Sequence, residues 1–193
     1  MEQPGRLYRE LFDSDIDRLK VFCDTCSELN YHNNVSFESI KLDKMTMPYG
    51  QFFVGLDNDK IFTIAGVHRM PEINDKAWRC LFRGAQLPGY TPKFSTNPYE
   101  LIIHFRELLY LQLNLVLSIE PDSEFYITSN IIDSNNGHSS RMDKILMPHI
   151  AKRGIWDIYL SDTVLYNTRQ NIWRVNVAEY YRQRQLYVQS CPK

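Results

Sequence analysis

The sequence predicts an α/β protein built on a mixed sheet with helices on both faces. Residues 51–56, 61–70 and 77–87 carry the apolar patterns of β-strands. A long apolar helical pattern follows at residues 97–119, and a short strand pattern at 125–129. Short turns join antiparallel strands, whereas a helical crossover normally joins parallel ones. This order therefore predicts that both kinds of pairing occur in the sheet.

The N-terminal segment predicts a strand at residues 7–11 and then a helix. The cluster Asp13-Ser14-Asp15 is a helix-capping sequence, and apolar residues recur at helical spacing from Ile16 to Leu29. The polar stretch that follows predicts a loop with one short helical turn at residues 37–42.

The strongest turn signal is Asp57-Asn58-Asp59-Lys60, which predicts a hairpin between the first two central strands. The third central strand runs to Leu87-Pro88-Gly89-Tyr90 and is followed by a polar loop. Asn97 and Pro98 then predict a helix start, because asparagine caps free amides and proline at the first position loses no hydrogen bond.

The C-terminal part predicts a helix that begins at Ser139-Ser140 and ends at Gly154, and then three strands and a basic, tyrosine-rich helix. The three strands are expected at residues 156–160, 164–166 and 171–177, and the helix at residues 178–188. No linker or repeat interrupts the chain, so we expect one domain over residues 1–193.

Composition excludes several classes of function. The 193 residues include 22 basic and 23 acidic side chains, and this balance makes nucleic-acid binding an unlikely main activity. No apolar run reaches the length of a membrane helix, and the first residues have no signal-peptide pattern. We therefore expect a cytoplasmic protein with no membrane partner.

The pair Cys23-x-x-Cys26 invites a metal or redox interpretation, but no second pair stands at zinc-binding spacing. The two cysteines lie three apart on the predicted first helix and so share one face. We interpret them as buried core thiols and predict no metal site.

The element order resembles the GNAT superfamily of acyl-CoA-dependent N-acyltransferases, from Leu7 to about Val177. The motifs that carry the resemblance are Asp15-Ile16-Asp17 after the opening strand, Phe53-Val54-Gly55 with Ile64-Ala65-Gly66-Val67, Leu87-Pro88-Gly89-Tyr90, and Lys152-Arg153-Gly154-Ile155. A fainter resemblance to small proteins of marine tailed phages would place the protein in the host cytoplasm, and no expectation about the site rests on it.

The resemblance implies a pocket for acetyl-CoA or another acyl-CoA. The pantetheine arm would lie in a gap between residues 83–87 and 125–130. The residues implied in cofactor binding are Arg83, Gly84, Ala85, Gln86, Leu87, Lys93, Ser95, Thr96 and Asn130.

The chain departs from the family in the loop that holds the pyrophosphate. The family has glycines there, which let backbone amides approach phosphate oxygens. Residues 91–97 contain no glycine, and Pro92 and Pro98 lack amide protons. Asp143 takes the place of a common asparagine, and Ile150 beside His149 takes the place of the tyrosine acid. The departures predict weakened acyl-CoA binding.

Acyl transfer to an amine needs a base for the amine and an acid for the leaving thiolate. The candidates are His68 and Glu72, near the end of the second central strand, and Tyr159 and Tyr166 on the late strands. Each also has a purely structural interpretation, such as a half-buried histidine bonded to backbone or a packed tyrosine with a wet hydroxyl.

Three interpretations stay open at the level of sequence. The first is an N-acyltransferase acting on a small-molecule or protein amine. The second is a non-catalytic binding or regulatory module of the same fold, which the missing glycines favour. The third is an unrelated α/β protein whose strand order mimics the family.

Overall fold

The computed structural model describes residues 6–29, 35–47, 50–90, 103–132 and 142–190. Lys93, Ser95, Thr96 and the predicted helix starts at Asn97 and Ser139 lie outside these residues. The chain divides into two compact units, Glu2–Ser123 and Glu124–Lys193. Each unit is described by itself.

The first unit contains four antiparallel strands in the order β1-β2-β3-β4. They are β1 (Arg6–Glu10), β2 (Gln51–Asp57), β3 (Lys60–Arg69) and β4 (Ala77–Gln86). The two-residue turn between β2 and β3 holds Asn58 and Asp59 at φ 46° and 69°. Asparagine and aspartate tolerate this left-handed backbone better than most residues, so the hairpin prediction is confirmed.

Helix α1 (Ile16–Glu28) follows a 3₁₀ turn formed by Asp13–Asp15. The buried Asp15 carboxylate accepts hydrogen bonds from Arg9 (2.6 Å), Arg18 (3.1 Å) and the Phe12 amide (3.0 Å). The hydrogen bond from Arg9 is the main reason why the pKa of Asp15 falls to about 2. The helix therefore begins directly after the predicted cluster, but the side chain of Asp15 does not cap its first turn and instead ties its start to β1.

Helix α2 (Phe37–Thr46) is longer than the short turn predicted at residues 37–42. Ser36 and Ser39 form a reciprocal cap, in which each hydroxyl accepts a hydrogen bond from the other residue's amide, at 3.1 and 3.2 Å. The side chains of α1 and α2 form a core with β2, β3 and β4 that includes Phe22, Ile40 and Phe52.

Helix α3 (Ile103–Ile119) contacts all four strands of this unit. Its side chains do not enter the core formed by α1 and α2, and the described part of the helix ends at Ile119, as predicted. The two sets of helices thus cover opposite faces of the four strands.

The second unit contains β5 (Glu124–Asn130), β6 (Trp156–Leu165) and β7 (Thr168–Val175), all antiparallel in the order β5-β7-β6. The prediction of separate strands at 156–160 and 164–166 was wrong. They form one strand, in which two register shifts and the left-handed Asp162 (φ 53°) absorb the break in the pattern. Strand β7 also begins three residues earlier than predicted.

A π-helical turn (Met142–Leu146) leads into α4 (Met147–Ala151), and Gly154 closes the segment at φ 75°, as predicted. The chain continues to α5 (Val177–Ser190). On α5 Tyr180 is buried and Arg182 pairs with Glu179 at 2.6 Å, which favours a packed structural helix over a nucleic-acid contact.

The α/β class predicted from the sequence is confirmed by the strands and helices of the two units. The parallel pairing of residues 77–87 with 125–129 and the single-domain organisation stay predictions. Within the described ranges no helix is both long and apolar enough to span a membrane.

Candidate active site

Strand β4 carries two consecutive bulges opposite β3. Three pairs set the register: Ile64 with Ala85, Gly66 with Phe82, and His68 with Arg79. Each step of two residues on β3 faces a step of three residues on β4. Bulges re-aim side chains and are over-represented beside active sites.

The backbone of β4 is left-handed at Leu81 (φ 53°) and Arg83 (φ 49°). This conformation costs a non-glycine residue roughly 1–2 kcal/mol. Gly84 follows directly, where a side chain would meet the Leu81 carbonyl oxygen and the Phe105 ring at 3.1 Å each. The strand is therefore held in an unfavourable conformation by its surroundings, and such strain is concentrated at functional sites.

His68 lies opposite this distorted segment and is only 2% exposed. Its Nδ1 atom is 2.5 Å from the carbonyl oxygen of Arg69. A carbonyl oxygen only accepts, so Nδ1 carries the proton and Nε2 keeps its lone pair. Among the described residues, Nε2 has no hydrogen-bond partner. A buried unpartnered acceptor is uncommon in folded proteins and calls for an explanation.

The electrostatic surroundings keep His68 neutral. Burial is the largest influence and lowers the pKa of His68 to about 4. The hydrogen bond to the Arg69 carbonyl raises this pKa, and the positive charge of Arg79 lowers it. Glu72 and Asp43 both raise it. Glu72 itself is exposed in the turn after β3, where its charge acts on His68.

The ring of Phe82 packs edge-on against the His68 ring with their centroids 4.7 Å apart. The guanidinium groups of Arg79 and Arg83 lie 4.8 Å and 5.2 Å from the centre of the same Phe82 ring. Arg83 is also paired with the buried Asp43 of α2 through its Nε and Nη2 atoms. The bulges thus bring the Phe82 ring against His68 and place two arginines over the Phe82 ring.

The other predicted cofactor residues of this unit lie at the end of β4. Ala85 accepts a hydrogen bond from Thr63 Oγ1 (3.0 Å), and the Leu87 amide donates to the Phe62 carbonyl (2.8 Å). Gln86 is buried opposite Thr63. The described residues therefore place Arg83 to Leu87 as a continuous, tightly held end of the strand.

The remaining predicted residues lie in the second unit. Tyr159 is exposed on β6, with its ring 5.0 Å from the ring of Tyr126. Tyr166 is exposed in the turn between β6 and β7, at φ 51°. Asn130 ends β5 opposite Gln170. Their roles in acid catalysis and cofactor binding stay predictions.

A polar cluster of the second unit was missed as a cluster by sequence reasoning. The Asp143 carboxylate accepts hydrogen bonds from Ser129 Oγ (2.5 Å) and Asn171 Nδ2 (2.8 Å). Ser129 Oγ in turn accepts from Trp173 Nε1 (2.8 Å). Only the π-helical turn that carries Asp143 marks the place as unusual, and no sequence pattern predicts such a turn.

The cysteine pair of α1 is a core feature, as predicted. Cys23 and Cys26 are buried free thiols, and burial raises their pKa values to about 12 and about 11. Both thiols therefore stay protonated near neutral pH and are poor nucleophiles and metal ligands. Over the described ranges no group of three histidine, cysteine, aspartate or glutamate side chains is placed to hold a metal ion.

Comparison with solved structures identifies the fold. FeeM, an N-acyl amino acid synthase from uncultured soil microbes, matches with a TM-score of 0.58 and 11% identity over 94% of this chain and 96% of its own. A GNAT-family acetyltransferase of Staphylococcus aureus Mu50 matches with a TM-score of 0.55 and 13% identity over 89% and 99%. The chain has the fold of the GNAT acetyltransferases.

The GNAT fold recurs in proteins that differ in their acceptors. The spermidine/spermine N-acetyltransferase SpeG of Vibrio cholerae matches with a TM-score of 0.54 and 11% identity over 93% of this chain and 96% of its own. By sequence, no family model and no curated protein matches the chain. The fold does not determine an activity or an acceptor, and these depend on the residues of the site itself.

Proposed function

We propose that the protein is an N-acyltransferase that moves an acyl group from acetyl-CoA or another acyl-CoA to an amine, with His68 as the proton acceptor. The observation that carries the proposal is the buried imidazole whose Nδ1 is bonded to a carbonyl and whose Nε2 has no partner among the described residues. A general base needs such a fixed tautomer and a lone pair that no hydrogen bond within the protein occupies.

The reaction requires one proton to leave the amine and one to reach the thiolate. The amine nitrogen attacks the thioester carbonyl carbon, the new C–N bond forms, and the C–S bond breaks. His68 Nε2 takes the amine proton directly or through one water, and the thiolate leaves as a thiol after it gains a proton. Tyr159 or Tyr166 is proposed as the donor of that second proton.

The low pKa of His68 has a consequence for this role. With a pKa of about 4, the imidazole is neutral at physiological pH and ready to accept a proton. It is also a weak base, so the protonated imidazole readily releases the proton again. The negative charges of Glu72 and Asp43 offset part of the burial effect, and we assign them this electrostatic role.

Acyl-CoA is proposed to bind along the end of β4 through residues 83–87, and the role of Asn130 in cofactor binding stays a separate prediction. Lys93, Ser95 and Thr96 would meet the phosphates. Each lost amide contact to a charged acceptor costs roughly 1.5–3 kcal/mol, so the loss of two or three such contacts in the glycine-free loop predicts acetyl-CoA binding weakened by several powers of ten.

The same loop favours the second candidate, a non-catalytic binding or regulatory module that has lost acyl-CoA binding. The acceptor in the first candidate is an amine of a small molecule or a protein. The cytoplasmic location, the phage origin and the absence of a nucleic-acid or membrane partner stay predictions.

Calorimetric titration with acetyl-CoA and with free CoA separates the two candidates. The acyltransferase proposal predicts saturable binding of both, weakened when Lys93 is changed to Ala. A surface lysine of α2, Lys41, serves as the matched control and should have no effect when changed to Ala. No heat of binding even at millimolar cofactor would overturn the proposal in favour of the module.

A further inference from the structure

The two bulges of β4 are bridged by a side chain of α3. Gln112 is fully buried, and its Oε1 atom accepts a hydrogen bond from the Leu81 amide at 3.0 Å. Its Nε2 atom donates to the Ala65 carbonyl oxygen at 3.1 Å. Ala65 belongs to β3 and Leu81 to β4, so the side-chain amide stands between the two strands.

The side-chain amide of Gln112 makes the two hydrogen bonds that a backbone peptide group would make. A regular antiparallel ladder would join an amide of β4 directly to a carbonyl of β3, and the bulges remove that bond. The amide of Gln112 has one acceptor and one donor at the correct spacing to replace it. Without the bridge, the part-buried Leu81 N–H and the buried Ala65 C=O would each lose this hydrogen bond, which lowers stability because backbone polar groups shielded from water need partners.

The bridge also fixes which side chains meet His68. Leu81 is the left-handed residue that precedes Phe82, and the second left-handed residue is Arg83. A change of conformation at Leu81 would turn the Phe82 ring away from His68 and separate Arg83 from Asp43. A regular β4 would have two fewer residues opposite β3 and a different set of side chains on that face.

We propose that Gln112 is the positioning residue of the site: its side-chain amide replaces the missing ladder bond between β3 and β4 and so holds the Phe82 ring against His68 and Arg83 against the Phe82 ring. The inference rests on the proposed function only in naming His68 as the base. The structural part of the claim concerns Leu81, Ala65 and Gln112 alone and is tested without any substrate.

The wild-type protein provides the first test, by NMR hydrogen exchange. Both the Leu81 amide proton and one Gln112 Nε2 proton should exchange slowly, on the scale of the backbone amides of the central strands. Side-chain amide protons of glutamine exchange fast when they face water. Fast exchange of the Gln112 protons in the folded protein would overturn the bridge.

Variants of Gln112 provide the second test. Gln112→Met removes both bonds at similar length, whereas Gln112→Glu keeps the acceptor for Leu81 and loses the donor to Ala65. In Gln112→Met we expect the hydrogen-exchange protection factor of the Leu81 amide to fall by roughly tenfold more than the loss of global stability explains. We also expect the NMR signals of the His68 and Phe82 rings to shift. Gln112→Glu should retain more of the Leu81 protection than Gln112→Met.

The matched control is Leu113→Ala, the next residue of α3, which is equally buried and makes a purely apolar contribution. It lowers global stability without touching the bridge, so the His68 ring signals should stay in place. Unchanged His68 and Phe82 signals in Gln112→Met and Gln112→Glu would overturn the positioning role. If wild-type protein shows the bridge and also shows no acyl transfer, the proposed function fails while the bridge stands.

In an active preparation the positioning role predicts a split in the kinetic constants. Gln112→Met should lower kcat for acyl transfer by at least about tenfold, because the surroundings of the base are disturbed, and the KM for acyl-CoA should change by a smaller factor, through the displaced Arg83. If Gln112→Met lowered kcat only because part of the protein unfolds, Leu113→Ala would lower the apparent kcat for the same reason. Equal losses of kcat in Gln112→Met and Leu113→Ala would therefore contradict the proposal.

Discussion

Two buried histidines of the first unit differ in their hydrogen bonds. Burial lowers the pKa of both His68 and His104 to about 4, and each is 3% exposed or less. His104 Nε2 donates to the Tyr90 carbonyl at 3.0 Å, and its Nδ1 accepts from the Tyr8 hydroxyl at 2.5 Å. His68 has a bond at Nδ1, and its Nε2 has none among the described residues.

The difference separates a structural histidine from a candidate base. Both ring nitrogens of His104 are hydrogen-bonded, and the Phe62 ring packs against it with the ring centroids 4.9 Å apart. The two side chains also hold opposite tautomers, because His68 carries its proton on Nδ1 and His104 on Nε2. The perturbed pKa does not distinguish them, whereas the open lone pair of His68 does.

The largest effect that we expect is a loss of stability in mild acid. Both histidines are neutral in the folded protein down to about pH 4, whereas in the unfolded chain they take up a proton near the ordinary pKa of 6.5. The unfolded state therefore binds more protons between pH 6.5 and 4, and stability falls with pH in that window. Each histidine should account for about 3 kcal/mol.

Urea unfolding at pH 7, 5.5 and 4.5 measures this loss. His68→Gln and His104→Gln should each remove about half of the pH dependence, since glutamine does not titrate. The stabilisation from the Asp15 carboxylate, whose pKa falls from 3.8 to about 2, begins to be lost below about pH 5, where the unfolded chain starts to bind the proton, and most of it is lost below pH 4. An unchanged slope in both variants would show that the two histidines are not buried as neutral groups.

The second effect separates the two histidines by stability at pH 7. His104→Leu removes two hydrogen bonds, to the Tyr8 hydroxyl and to the Tyr90 carbonyl, each at a cost of roughly 1–3 kcal/mol. His68→Leu removes only the hydrogen bond to the Arg69 carbonyl, because Nε2 has no partner among the described residues. We therefore expect His104→Leu to be the more destabilising by about 1–2 kcal/mol in denaturant unfolding. Equal losses would mean that His68 Nε2 has a partner in solution.

The smallest effect concerns Asp43, which influences the pKa of His68 and is not among the groups that shift the pKa of His104. Asp43→Asn removes a negative charge that raises the pKa of His68. NMR titration should therefore show the pKa of His68 falling further while that of His104 stays constant. The half-buried pair with Arg83 is lost as well, at about 1 kcal/mol. A shift of His104 instead would contradict the assignment of charges around His68.

The sequence predicts the hairpin and the α/β class because those signals are local. Asn58 and Asp59 set the turn by their own tolerance of left-handed backbone, and the apolar periods set the strands. His68 is also predicted, since a strand histidine near the end of β3 is visible as a residue type.

The environment of His68 is not predicted, because it depends on contacts that are distant in sequence. Gln112 bonds to Leu81 and Ala65 from 31 and 47 residues away, and Arg83 pairs with Asp43 from 40 residues away. The register of β4 shifts at leucine and arginine, residues that rarely adopt positive φ, so no turn signal marks the bulges. No sequence motif marks His104, and its structural role is visible only from its hydrogen bond to Tyr8.

The most direct test of His68 is the rate of acyl transfer by wild type, His68→Gln and His104→Gln. The assay follows thiol release from acetyl-CoA at pH 8 with a panel of small amines, and thermal unfolding confirms that each variant is folded. We expect His68→Gln to lower kcat/KM by roughly 10²–10⁴-fold, the usual contribution of a general base, and His104→Gln to retain activity in proportion to its folded fraction. Equal activity of folded His68→Gln and wild type would contradict the role of His68.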